Sequence, residues 1–141
     1  MSASSPERDN LEVHVEPLRI VAMGETGQLE IDVKREHDRV VLSLEGELDM
    51  ATAPRLQSAI DEPDLTSMPE LVLDLRALQF IDSTGLRVIL AALQSSRERG
   101  QEFAITRGSP QVERLLSITG VTEHLRTIAT PDQALLDPHA D

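Results

Sequence analysis

The 141-residue chain contains no cysteine, no tryptophan and no tyrosine, and its only aromatics are Phe80 and Phe103. Without cysteine there are no disulfides, thiol nucleophiles or thiolate metal sites, a composition that suits a reducing compartment. With so few aromatics there are no stacking platforms of the kind that bind single-stranded nucleic acid. Basic residues are scarce too: 13 Lys and Arg stand against 25 Asp and Glu, a formal charge of −12 at pH 7. That charge opposes a phosphate backbone and an anionic lipid surface, so neither nucleic acid nor a membrane is expected as a direct partner. Long apolar runs are missing. The longest, Val88 to Leu93, falls well short of the ~20 residues of a membrane span. The opening residues MSASSPERDN have neither the basic nor the apolar region of a signal peptide, so a cytoplasmic protein is expected.

What remains is aliphatic. Forty per cent of the residues are hydrophobic, enough for one globular domain with an aliphatic core. Residues 1–28 read as an N-terminal extension. Within it Leu11, Val13 and Val15 alternate with Glu12, His14 and Glu16 as a candidate edge strand, before Pro17 and the 24–27 stretch interrupt. From Leu29 the alternation of Leu29, Ile31 and Val33, resumed by Val40, Leu42 and Leu44 after a polar turn, predicts two paired strands. Gly46 to Asp49 breaks that pattern, and Leu56, Ala59 and Ile60 recur at helical spacing over about 51–61. Residues 61–69, with two prolines, read as a surface loop.

Leu71 to Leu75 is a short apolar run that predicts a central strand buried on both faces. Leu86, Ile89, Leu90 and Leu93 then mark the strongest helix, stopped by Gly100. A strand over Phe103 to Thr106 precedes a helix opened by Ser109 and Pro110 and closed by Gly120. A strand near Leu125 to Ile128 leads to a terminal helix opened by Thr130 and Pro131, with a four-residue tail at 138–141. Alternating strands and helices predict an α/β fold with a mixed, mostly parallel sheet of four to five strands and about four helices.

Two polar breaks are the candidate sites. Phe80-Ile81-Asp82-Ser83-Thr84-Gly85 joins the buried strand to the strongest helix, where unpaired N–H groups and the positive helix end favour an anion or a hydroxyl acceptor. Asp82 or Ser83 capping the helix is the plainer reading. Gly85 then still needs a reason, and close approach of another chain or a ligand to the backbone is one. Gly46-Glu47-Leu48-Asp49 ends a strand just before a helix. Asp49 is either an N-cap or, if both breaks share one sheet edge, a neighbour of Ser83 together with Asp82.

At these residues the chain resembles the bacterial anti-sigma factor antagonists built on the STAS domain. The likeness runs from about Leu29 to Leu136 and rests on Gly46-Glu47-Leu48-Asp49 with Thr52-Ala53, and on Leu73-Asp74-Leu75 through Phe80-Ile81-Asp82-Ser83-Thr84-Gly85-Leu86. It implies the STAS fold over residues 29–137 and a binding protein rather than an enzyme. It also implies that Ser83 is phosphorylated by a partner anti-sigma factor that is an ATP-dependent serine kinase. Glu47, Asp49, Asp82, Ser83, Thr84 and Gly85 would form the partner-binding surface. The dephosphorylated protein would bind the anti-sigma factor and free a sigma factor, and a phosphatase would reset the phosphorylated one. Arg87 stands where the family often has a second glycine. The alternative within the same fold is a scaffold or accessory subunit of a signalling or transporter complex with no phosphorylation cycle.

Other chemistries fit less well. Ile81-Asp82-Ser83-Thr84-Gly85 lacks the first glycine of a nucleophile elbow, and no histidine has a recognisable triad context: His37 lies in a turn, His139 in the tail, His14 and His124 beside acids. No His and acid pair sits at ligand spacing, so neither a metal nor a cofactor is expected. Asp74 superficially resembles a phosphoaspartate acceptor but lacks the acidic pair such a site needs, and reads as a strand-end or solvent-facing residue.

Overall fold

A computed structural model describes residues 18–24, 27–120 and 125–131. Strands β1 (Leu18–Met23), β2 (Gln28–Glu36) and β3 (Arg39–Leu48) are followed by helices α1 (Ala53–Ile60) and α2 (Pro63–Thr66). Then come β4 (Glu70–Ile81), α3 (Ser83–Glu98), β5 (Glu102–Thr106), α4 (Pro110–Ile118) and β6 (Arg126–Ile128). The strands form one sheet in chain order, β1 to β6. The pairs β1–β2 and β2–β3 are antiparallel and the remaining three parallel. The fold is therefore the expected α/β arrangement with an antiparallel start, and among the described residues its sheet has six strands where four to five were expected.

The extra strand lies within the stretch read as an extension: β1 pairs along its whole length with β2, from Leu18 opposite Val33 to Met23 opposite Gln28. The alternation at Leu11 to Val15 lies outside the described residues, as does the terminal helix beyond Pro131. A short helix, α2, interrupts the loop expected over 61–69, and its Leu65 plugs into the core.

Strand alternation sorts the sheet into two faces. Leu42, Leu44, Leu71, Leu73 and Ile105 meet the apolar stripes of the helices, Leu56 and Ile60 of α1, Leu86, Ile89 and Leu93 of α3, Val112 and Leu116 of α4. The other face carries a smaller cluster of Val41, Val72, Ala104 and Ile128. Beside it the buried Arg39 donates from Nε and Nη2 to Glu36 Oε1, at 2.9 and 2.8 Å, and from Nη1 to the Pro131 carbonyl. A buried guanidinium held by three such hydrogen bonds, one of its partners a carboxylate, is paired rather than stranded.

Two irregularities set where the ends of β3 and β4 lie. Ser43 pairs with Asp74 but Glu47 pairs with Phe80, so β4 carries two more residues than β3 over this stretch. Gly46, expected to end its strand, instead continues it at φ 110, and a Cβ there would stand 2.1 Å from the Gln28 carbonyl oxygen. Secondly, β4 runs on to Ile81, well past Leu75, whereas its pairing with β5 stops at Leu73 opposite Ile105. Side chains replace the missing strand. Thr106 Oγ1 accepts from Leu75 N at 2.7 Å, Ser109 Oγ donates to Gln79 O at 3.3 Å, and Gln111 pairs with both backbone groups of Ile81.

Asp74 sits at that fork and is neither at a strand end nor facing solvent. It is 7% exposed, holds Arg76 through Oδ1 and Oδ2 at 2.9 Å each, and accepts from Thr106 Oγ1 at 3.2 Å. A residue two positions along the same strand, on the same face, supplies its counter-charge.

Candidate functional site

The loops that leave β3 and β4 emerge side by side, because Leu48 pairs with Ile81. Without the two extra β4 residues Asp49 would fall level with Phe80. With them it falls level with Asp82. The two loops are then bonded together: Asp82 N donates to the Leu48 carbonyl at 3.1 Å, and Met50 N donates to Asp82 Oδ2 at 3.0 Å.

Asp82 is also the N-cap of α3. Its Oδ1 accepts from Gly85 N at 2.9 Å and its backbone is extended. The capping reading therefore holds for Asp82, and the same carboxylate does a second job by holding the neighbouring loop. A cap accepting a helix N–H is worth about 1 kcal/mol. Ser83, the first helical residue, is exposed, while Thr84 is half-buried.

Asp49 is not the N-cap of α1. Thr52 occupies that position, and the Asp49 carboxylate serves the turn before it: Oδ1 accepts from Ala51 N and Thr52 N, both at 3.0 Å. The buried Thr52 hydroxyl accepts from Asp49 N at 2.9 Å and donates to the Glu47 carbonyl at 2.9 Å. The other Asp49 oxygen points towards the β1–β2 connection, 3.1 Å from where a Cβ on Gly24 would stand. Glu47 lies alongside, its carboxylate 2.7 Å from the corresponding point on Gly27. Glu47 and Asp49 are thus packed against the two glycines of that connection, and it is Asp82 that reaches across from the Ser83 segment to Met50.

The close approach expected at Gly85 is made by the chain itself. Gly85 is buried, and a Cβ there would stand 2.7 Å from both Cγ and O of Leu48. The glycine lets α3 start against the end of β3. Helix and strand ends must touch here if Asp82 is to reach Met50.

Two exposed apolar residues at this edge had no pattern to announce them: Met50, 69% exposed, and Phe80, 40% exposed. Met50 belongs to the Gly46 to Thr52 break, and Phe80 lies in the last part of β4, where Arg76, Ala77 and Gln79 are exposed too. Arg87, four residues after Ser83 on α3, is exposed as well. Among the described residues no group of three or more His, Cys, Asp or Glu is arranged to hold a metal ion. No helix there is long and apolar enough to cross a membrane. The arrangement is that of a surface: an exposed hydroxyl at a helix start, the Asp82 carboxylate that precedes it bonded to the Met50 loop, Glu47 and Asp49 at the end of the neighbouring strand, and the exposed apolar residues Met50 and Phe80.

The model of the STAS domain family matches residues 30–134. An anti-sigma F factor antagonist of Paenibacillus polymyxa is 38% identical over 96 residues, 66% of this chain and 82% of the relative. The anti-sigma-F factor antagonist RsfB of Mycobacterium tuberculosis is 33% identical over 101 residues, 71% of this chain and 82% of the relative. Among solved structures, the crystal structure of an anti-sigma factor antagonist from Mycobacterium paratuberculosis superimposes with a TM-score of 0.69 at 31% identity, covering 77% of this chain and 92% of that one.

Proposed function

The chain belongs to the STAS domain family, among its anti-sigma factor antagonists, and from that premise we propose that it binds an anti-sigma factor and is switched by phosphorylation of Ser83. In this reading the partner anti-sigma factor is also an ATP-dependent serine kinase. The dephosphorylated protein engages it and frees a sigma factor, the phosphorylated protein lets go, and a phosphatase restores the first state. The protein acts by docking and catalyses no reaction itself.

One observation carries the proposal: Ser83 is an exposed hydroxyl at the first position of α3, on a segment that Asp82 bonds to the Asp49 loop. A kinase needs a reachable hydroxyl on a preorganised backbone. A docking surface needs apolar residues, here Met50 and Phe80, within a rim whose charge selects the partner. The rim of Glu47, Asp49 and Asp82 is acidic, so the complementary surface is basic. Phosphate adds a charge of about −1.5 to −2 beside these carboxylates. The helix start accommodates an anion, so the fold survives. Burying that charge against the acidic rim in an interface does cost repulsion and desolvation, and an affinity change of about 5–150-fold is typical of such coupling.

The test is direct. With the cognate kinase and Mg-ATP, intact-mass spectrometry is expected to show one added phosphate, mapped to Ser83. Ser83→Ala is expected to keep the affinity for the anti-sigma factor by calorimetry, and Ser83→Asp to weaken it. No phosphate, or phosphate on Thr84, overturns the acceptor assignment. Equal affinities for the two variants overturn the switch and leave the scaffold alternative.

A further inference from the structure

On its β5 side, the part of β4 that leads into Ser83 has no strand beside it beyond Leu73 among the described residues. An unpaired edge leaves backbone groups to water and lets the strand end shift. At Ile81, two residues before Ser83, that edge is closed by one side chain. Gln111 Oε1 accepts from Ile81 N at 2.9 Å and Gln111 Nε2 donates to Ile81 O at 2.9 Å, as a neighbouring strand's peptide group would. On the opposite side the same short segment is tied to β3 through Asp82 N and Leu48 O, and to the Asp49 loop through Asp82 Oδ2 and Met50 N.

We infer that Gln111 is a positioning residue for the Ser83 segment: by closing the β4 edge at Ile81 from α4, it sets where Asp82 and Ser83 begin. This deepens the phosphorylation reading above and rests on it for the kinetic arm of its test. Three features support the role. Gln111 stands in the first turn of α4, whose own position is set by the Ser109 cap and by the buried Val112, so its amide is presented from a fixed base. Both of its polar ends are used, which fixes the register of Ile81 and not only its distance. The link to the acceptor is also short: Ile81 is followed at once by the cap residue that holds Gly85 and Met50. In-line transfer is sensitive to small displacements, about 100-fold in rate for roughly 1 Å.

Gln111→Leu keeps the size and removes both hydrogen bonds. Gln111→Glu keeps the acceptor for Ile81 N and loses the donor to Ile81 O. In the free protein, Gln111→Leu is expected to move the amide resonances and speed the hydrogen exchange of Asp82, Ser83, Thr84 and Met50, with Gln111→Glu in between. In the kinase reaction it is expected to lower the phosphorylation rate at saturating kinase by about 10-fold or more, with the thermal midpoint lowered by only a few degrees. Changes confined to Ile81, or a rate loss that merely follows the unfolded fraction, would make Gln111 a structural clip and overturn the inference. If the wild-type chain accepts no phosphate, the acceptor reading fails, and the resonance and exchange arm still decides the role of Gln111.

Discussion

At the scale of single residues, the site depends on backbone positions that tolerate only glycine and on one carboxylate with two partners. Gly46 is the sharpest case. Its φ of 110 lies where side-chain-bearing residues are strained, and a Cβ would stand 2.1 Å from the Gln28 carbonyl oxygen across the β2–β3 ladder. Backbone cannot yield as a flexible side chain does. Gly46→Ala is expected to cost about 3 kcal/mol or more, read as a drop in the urea midpoint. Gly100→Ala is the control: its φ is 74 but nothing lies within 4 Å of the added Cβ, so only the left-handed backbone penalty of about 1–2 kcal/mol applies. Equal losses in the two variants would show that the contact with Gln28 is unimportant. Asp82 was legible in the sequence as a cap, because an Asp before an apolar helical stripe satisfies N–H groups at the helix start. Its bond to Met50 was not legible, since nothing local links residues 32 positions apart.

Among elements, the decisive feature is the fork where β5 leaves β4. Thr106 Oγ1 accepts from Leu75 N and donates to Asp74 Oδ1, so a buried hydroxyl stands in for the next pair of the ladder. Thr106→Val preserves the shape and strands the Leu75 N–H and one lone pair of Asp74. The expected loss is about 1–3 kcal/mol in chemical denaturation, with Thr106→Ser retaining most of the stability. A Val variant as stable as wild type would mean that water takes over both groups. Sequence periodicity marked Leu71 to Leu75 as a central strand because both faces there are apolar. The continuation to Ile81 escaped it, since Arg76, Ala77, Gln79 and Phe80 are exposed and the supporting hydrogen bonds come from Ser109 and Gln111, some 30 positions further along the chain. The same holds for α2, a single turn too short for a helical period to register.

For the whole molecule, an acidic chain owes part of its stability to carboxylates whose protonation is suppressed in the folded state. Burial pushes the Asp74 carboxyl up, but the Arg76 side chain and N–H, aided by Thr106, outweigh it and hold the group below its ordinary value of 3.8. Burial acts likewise on Glu36, and Lys34 and Arg39 together bring it below its ordinary 4.5. In both cases the unfolded chain binds protons at a higher pH than the folded one, so stability rises with pH through this window. The contribution is complete above the ordinary carboxylate range and is lost as pH falls through 4.5 and 3.8 towards the depressed folded values. The unfolding free energy is therefore expected to decline with acid over that range, and Asp74→Asn, compared with wild type at each pH, to decline less steeply. A parallel pH profile for the variant would remove Asp74 from the account.

Composition and periodicity were sufficient to establish an acidic α/β domain of alternating strands and helices, the helix starts at Asp82 and Ser109, and the residue types gathered at the two polar breaks. These are properties of short stretches, set by side-chain period and capping chemistry, and short stretches carry them unaided. Tertiary structure alone decided that β1 belongs to the sheet and that Gly85 faces Leu48. It alone decided that Asp74 is buried with Arg76, and that two additional residues in β4 bring Asp82 level with Asp49. Each of these depends on register between distant segments, and register is a balance of ladder hydrogen bonds and packing that no single segment contains. The scarcity of aromatics and basic residues argued from the outset against nucleic acid and an anionic membrane as partners. The surface proposed for a partner, Ser83 after Asp82 with Met50 and Phe80 exposed, exists only once the two strand ends have been brought into line.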